Sequence, residues 1–180
     1  RAGVLPRLRA EGAFVTSMVP RVQPLSELEI ALSRVSAVEL VDPADEVVAT
    51  PDGLDRLVRR VLPRPGAELV LMVDQAEELF TLADPTERDL FLDALAHVVA
   101  DHRSPIRVVI TLRADFLAAA LSHPIAGPLV RDRSVMVGPL DRDDLHEVIV
   151  RPAELAGVAV DPALAVALVA DAARAEGLAE

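Results

Sequence analysis

Residues 69–73, Leu-Val-Leu-Met-Val, form an unbroken apolar run that ends on Asp74 and follows the breaker Pro63-Arg64-Pro65-Gly66. A run this short and this uniformly apolar predicts a strand buried on both faces of a parallel sheet. Burial on both faces requires helical layers on each side, so the rest of the chain must supply crossover helices. Ile106–Leu112 is predicted as a second buried strand and Ser134–Val137 as a short third. Phe14–Val22, with Val15, Thr16, Met18 and Val19, reads as a further strand.

Helical signals fall between these runs. Arg1–Arg9 carries Val4, Leu5 and Leu8 on one side, with Gly12 shortly beyond its end. Leu25, Leu28, Leu32 and Val35 recur at helical spacing. Asp42–Ala49 is acidic and unpatterned and reads as a connection. Thr50 as N-cap with Pro51 at the first position predicts a helix bearing Leu54, Leu57, Val58, Val61 and Leu62. Asp84-Pro85-Thr86-Glu87 reads as a capping box opening a helix through Leu92, Leu95 and Val99. Leu140, Asp141, Asp144 and Leu145 read as a staple plus cap, on a helix that Pro152 should disturb. Asp161-Pro162 begins a last helix that Gly177 terminates. The whole is an α/β chain.

The 180 residues are 52% hydrophobic and so suffice for a core, which excludes disorder. No Cys is present, which excludes thiolate metal sites, disulfides and cysteine nucleophiles. A net charge of −11 argues against a nucleic-acid surface, and no apolar run approaches a membrane span. All 18 basic residues are Arg, which removes Schiff-base chemistry and a phosphate-binding P-loop Lys. The eight Gly are dispersed, the nearest pair being Gly3 and Gly12, so these residues form no Gly-rich phosphate cradle. The chain opens on Arg1 with no signal-like segment, and reads as a piece of a longer cytoplasmic protein.

In parallel sheets ligands sit beyond the carboxyl ends of the strands. The first strand delivers Asp74, then Gln75, Glu77 and Glu78 to that end. An acid there holds a hydrated Mg²⁺ and a second acid orients or deprotonates water; alternatively the loop merely solvates the strand end. The second strand delivers Thr111 and Arg113, two residues apart and hence on one side. Arg113 either forks onto a phosphate or pairs with Asp115 or the acids after Asp74. His97, His102, His123 and His146 have no metal-ligand spacing and read as surface or rim residues. Arg56, Arg59, Arg60 and Arg64 read as a solvated helix face or an anion contact.

Val73-Asp74-Gln75-Ala76-Glu77-Glu78-Leu79-Phe80 together with Thr111-Leu112-Arg113-Ala114-Asp115-Phe116 resembles the bacterial STAND NTPases, and most closely the novel STAND domain of large multidomain proteins. Arg1-Ala2-Gly3-Val4-Leu5-Pro6-Arg7-Leu8 resembles the segment that follows Walker A in that subgroup, and Leu140, Ile149, Pro152 and Gly157 resemble its later helical stretch. The resemblance implies a P-loop NTPase-like (AAA/STAND) three-layer sandwich with a parallel sheet, incomplete and followed by C-terminal helices. Residues 1–139 would be a partial nucleotide-binding domain lacking Walker A, and 140–180 a helical extension toward a lid subdomain.

It further implies that Asp74 is the Walker B acid coordinating Mg²⁺ through water and that Glu77 or Glu78 positions the attacking water. Arg113 would sense the γ-phosphate of ATP, with Thr111 supporting that strand end. An ATP-dependent signalling switch is implied, with slow hydrolysis in the intact protein. Its partners would be nucleotide, ATP-dependent copies of itself, and fused modules such as WD-repeat propellers, helical repeats, proteases or DNA-binding domains. The segment itself would touch neither nucleic acid nor membrane. The alternative is a scaffold domain that keeps the fold without nucleotide turnover. Three departures stand out. Walker A is missing, Ala76 replaces the subgroup's usual aromatic, and 174–180 supplies no Pro for the Gly-x-Pro element placed against adenine.

Overall fold

The structure is a computed structural model that describes residues 4–64, 66–131 and 133–175. The expectations resting on Arg1–Gly3, Pro65 and Gly177 lie outside those residues. In chain order the elements are α1 (Val4–Ala10), β1 (Phe14–Met18), α2 (Pro24–Ser33), α3 (Pro43–Ala49), α4 (Gly53–Val61) and β2 (Leu69–Val73). There follow α5 (Glu78–Thr81), α6 (Pro85–Ala100), β3 (Ile106–Ile110), a 3-10 turn at Ala114–Phe116, α7 (Leu117–Ser122), α8 (Ala126–Arg131), α9 (Arg142–Leu155) and α10 (Pro162–Ala175). Two compact units result, residues 1–134 and 135–180.

The three strands pair in parallel in the order β1-β2-β3, in a register that aligns Phe14, Leu69 and Ile106. Every residue of β2 is buried, as its apolar run requires. Side-chain alternation splits the strands between two cores. On one face Leu69, Leu71 and Val73 pack with Leu28 and Leu32 of α2, Leu57 and Val61 of α4, and Phe91 and Leu95 of α6. On the other, Val15, Val70 and Met72 pack with Leu5 and Leu8 of α1. Helices therefore cover the sheet on both sides, and the strand ends are held in one rigid frame.

Several expectations are corrected. β1 stops at Met18 rather than Val22, because Pro20 lacks an N–H and Arg21 turns left-handed (φ 53°). Asp42–Ala49 is not a connection throughout: Pro43 starts α3, Asp45 and Glu46 sit in its first turn, and Val47 is buried. Thr50 is consequently the C-cap of α3, and α4 begins at Gly53 behind Asp52. A Cβ on Gly53 would lie 2.3 Å from Glu46 O and 2.6 Å from Val47 O, so only glycine admits this approach of the two helices.

The capping box at α6 is half made. Asp84 accepts from the N–H groups of Thr86 (2.9 Å) and Glu87 (3.1 Å), but its own N–H donates to Val22 O (3.0 Å) instead of to Glu87. β3 ends at Ile110 and is only partly buried: among the described residues it pairs with β2 alone, and Val109 and Ile110 remain 39% and 38% exposed. Ser134–Val137 forms no strand, and Val135 and Val137 are 87% and 88% exposed.

In the second unit α9 opens on the full Asp141–Asp144 capping box. It runs on through Pro152 to Leu155, since the ring falls in the last turn, where one i−4 bond is forfeited. Asp161 caps the start of α10 by accepting from the N–H groups of Ala163 (2.8 Å) and Leu164 (3.2 Å). No helix among the described residues is long and apolar enough to cross a membrane.

Candidate functional site

The carboxyl ends of β2 and β3 are locked together by one residue. Thr111 donates its backbone N–H to Val73 O (3.0 Å) and accepts from Ala76 N–H through its carbonyl (2.9 Å). Its hydroxyl oxygen accepts from Gln75 N–H (3.1 Å), and its O–H donates to Asp74 Oδ1. Asp74 donates its own backbone N–H to Met18 O (2.9 Å), so the ends of the three strands meet at this residue. Gln75 adopts a left-handed backbone (φ 55°) that turns the chain sharply off the strand. Ala76 is buried (3% exposed), which suits a small side chain under that turn.

The two following acids diverge. Glu77 Oε2 accepts from Arg113 N–H at 3.4 Å and so lies on the β3 side, beside Thr111. Glu78 Oε2 accepts from Arg21 N–H at 3.0 Å and braces the left-handed turn after β1. Arg113 lies past the end of β3, where its guanidinium pairs with Asp115 at 2.8 Å. Both partners are about two-thirds exposed, at 67% and 68%. Thr111 and Arg113 thus stand together at the site, but on extended backbone beyond the ladder rather than inside a strand.

His123 is not a surface residue: its side chain is 11% exposed. Its Nδ1 faces the N–H groups of Ile125 (3.3 Å) and Ala126 (3.4 Å), and its Nε2 faces Asp89 at 3.1 Å. The ring meets Phe80 edge-on, with centroids 5.9 Å apart, and so anchors the far end of the 73–80 segment. The N–H bond from Arg88, then the charges of Arg88 and His123, hold the Asp89 carboxyl below the usual aspartate value against the opposing effect of burial. Arg59 and Arg60 are engaged rather than free, on Asp55 (2.6 Å) and Glu46 (2.6 Å).

Sequence reasoning missed the left-handed turn at Gln75 and the Glu78–Arg21 bond, since a non-glycine positive φ leaves no compositional mark. It also missed the role of the Thr111 hydroxyl in fixing Asp74. The Thr-x-Arg-x-Asp spacing was the available signal for that end of the strand.

A parallel sheet with helices on both faces, and acids and an arginine gathered beyond its carboxyl edge, defines the class of α/β domains that carry their sites at strand ends. The chain belongs to the novel STAND NTPase family: the family model Novel STAND NTPase 1 matches residues 1–178. No curated protein and no solved structure matches it.

Proposed function

We propose that the chain is the core of an ATP-dependent signalling switch, whose magnesium and water chemistry sits at the carboxyl ends of β2 and β3. The observation that supports this most is the Thr111 hydroxyl holding Asp74 at the point where the three strands converge. Mg²⁺ takes hard oxygens, keeps several waters and is commonly held by one or two carboxylates plus substrate phosphates. The donor set fits that demand: Asp74 is a carboxylate held by Thr111, and Glu77 reaches the backbone of Arg113 two residues beyond Thr111. In this reading Asp74 holds the hydrated ion, and Mg²⁺ when bound neutralises phosphate charge.

The chain's own residues divide the remaining work. Glu77 positions the attacking water, because it faces the Thr111–Arg113 side of the site, while the Glu78 carboxylate is committed to the turn at Arg21. Arg113 is the γ-phosphate sensor. Its exposed pair with Asp115 is worth only about 0–1 kcal/mol, whereas a charge-assisted fork onto phosphate is roughly twice as strong as a neutral hydrogen bond. No lysine occurs among the 180 residues, so in this reading the phosphate cradle comes from another part of the gene product. ATP binding then passes to fused sensor and effector modules and to ATP-dependent assembly of copies.

The test is Mg²⁺-dependent ATP hydrolysis by the full gene product and its Asp74→Asn variant. A carboxylate that holds the ion contributes several kcal/mol, so the variant should lose about a hundredfold or more in rate with its circular dichroism unchanged. Hydrolysis unaffected by Asp74→Asn, or absent from the parent, would leave a scaffold domain that keeps the fold without turnover.

A further inference from the structure

The opposite edge of the sheet carries a second feature, unconnected with the strand-end acids. Among the described residues β1 is the outermost strand on that side. Phe14 donates its N–H to Glu68 O and Met18 O accepts from Asp74, so residues 14, 16 and 18 turn their backbone groups toward β2. Val15 and Ser17 consequently present theirs outward. Both outward carbonyls are gripped by arginine: Arg9 Nη2 donates to Val15 O (3.4 Å), and Arg34 Nη1 to Ser17 O (3.1 Å).

The two arginines arrive from opposite layers. Arg9 lies in the last turn of α1, which covers the face of Val15, Val70 and Met72. Arg34 caps the end of α2, which covers the face of Leu69 and Leu71. They bracket the strand edge above and below, around a cleft of about 430 Å³ lined also by Phe14, Thr16 and Ser17.

A guanidinium carries five N–H donors, so most of each fork remains to be used. Neither Arg9 nor Arg34 reaches a carboxylate among the described residues. Elsewhere in the same unit Arg21, Arg56, Arg59, Arg60, Arg88, Arg107 and Arg113 rest on acids, and the other unpaired arginines, Arg7, Arg103, Arg131 and Arg133, do not lie against the β1 backbone among the described contacts. Arg64 adds a third cation at the start of β1, where it lies 5.8 Å from the Phe14 ring and donates to Gly12 O. With 29 acids against 18 bases in the chain, arginines left without carboxylates along one strand edge make a cationic strip on an anionic protein. Its complement is an acidic partner.

We propose that the β1 edge binds an extended acidic peptide segment of a partner protein, added as a further strand outside β1. Val15 and Ser17 supply the backbone N–H donors, and the second lone pairs of their carbonyls remain for the incoming N–H groups. Successive side chains of a strand point to opposite faces. The segment recognised therefore carries Glu or Asp at adjacent positions, one carboxylate meeting Arg9 on one face and the next meeting Arg34 on the other.

The experiment is fluorescence anisotropy on the full gene product with a labelled Thr-Val-Glu-Glu-Val-Thr peptide. Saturable binding is expected, at least tenfold weaker for the Gln-Gln counterpart and for the Arg9→Gln and Arg34→Gln variants. A peptide with proline at alternate positions, which cannot pair with the edge, should bind at least tenfold more weakly as well. The Asp74→Asn variant should bind the peptide unchanged, which separates this site from the switch reading. Absence of saturable binding would overturn the proposal, as would equal affinity for the Gln-Gln or proline peptide. Displacement by glutarate or inorganic phosphate at the peptide's own concentration would mark a small-anion cleft and overturn it too.

Discussion

Thr111 and Asp74 are joined across two strands by a hydroxyl that donates to the Asp74 carboxylate while accepting the N–H of the next residue, Gln75, at 3.1 Å. One side chain thereby fixes both the orientation of the acid and the left-handed turn that follows it. The donor and acceptor functions are inseparable in a hydroxyl and both vanish in valine.

Thr111→Val should therefore separate chemistry from stability. The lost hydrogen bonds cost about 1 kcal/mol each in stability, and the freed carboxylate should lower Mg²⁺-dependent hydrolysis by about 10- to 100-fold in the full gene product. Denaturant titration and steady-state rates read the two effects, and Thr111→Ser should restore the rate. Restoration failing in a folded serine variant would show that the methyl group, not the hydroxyl, matters there.

Gly53→Ala sets two magnitudes against each other. Alanine improves helix propensity by about 0.8–1.0 kcal/mol. Its Cβ would meet Glu46 O at 2.3 Å, and overpacking of this kind costs typically about 1–3 kcal/mol. Backbone cannot swing aside as a flexible side chain does, so the clash should win and the variant should be less stable by chemical denaturation. A more stable variant would contradict the α3–α4 junction.

Acid should dissolve the contribution of Asp89. Its carboxyl titrates below the ordinary 3.8 in the folded chain, so the stabilisation is present above that value and is lost as pH falls through the lowered folded value. Thermal melts of the parent and Asp89→Asn should differ at pH 6 and draw together as the pH falls below the ordinary aspartate value. A gap that widens on acidification would mean that Asp89 carries no such interaction with Arg88 and His123.

Much of this architecture is legible in the residues. The Leu69–Val73 run forces a doubly covered strand, and Asp74 stands at its carboxyl end, where the proposed site lies. Pro63, just beyond the end of α4, and the Asp84 cap mark element boundaries because their chemistry is local. What escaped is set by tertiary partners. Asp84 N–H goes to Val22 rather than to Glu87, α3 forms because Val47 finds a core, and Ile106–Leu112 reads as buried although its strand pairs, among the described residues, on one side only. Periodicity reports how apolar a strand is, and cannot report how many neighbours it has. At the site, the residue types were readable, whereas the separate commitments of Glu77 and Glu78 depend on where β1 and β3 end.

The Arg113 guanidinium rests on Asp115, two residues away, and a switch would have it exchange that partner for the γ-phosphate. A hydrogen bond to a charged group is worth about 1.5–3 kcal/mol, and each 1.4 kcal/mol is tenfold in affinity. The decisive measurement is a pair of titrations on the full gene product and its Arg113→Ala variant, one with a non-hydrolysable ATP analogue and one with ADP. If Arg113 reads the γ-phosphate, the analogue should weaken by roughly ten- to a hundredfold while ADP stays nearly constant, because only differential contacts bias a switch. Equal losses for both nucleotides, or none for either, would contradict the claim and leave Arg113 as a structural partner of Asp115.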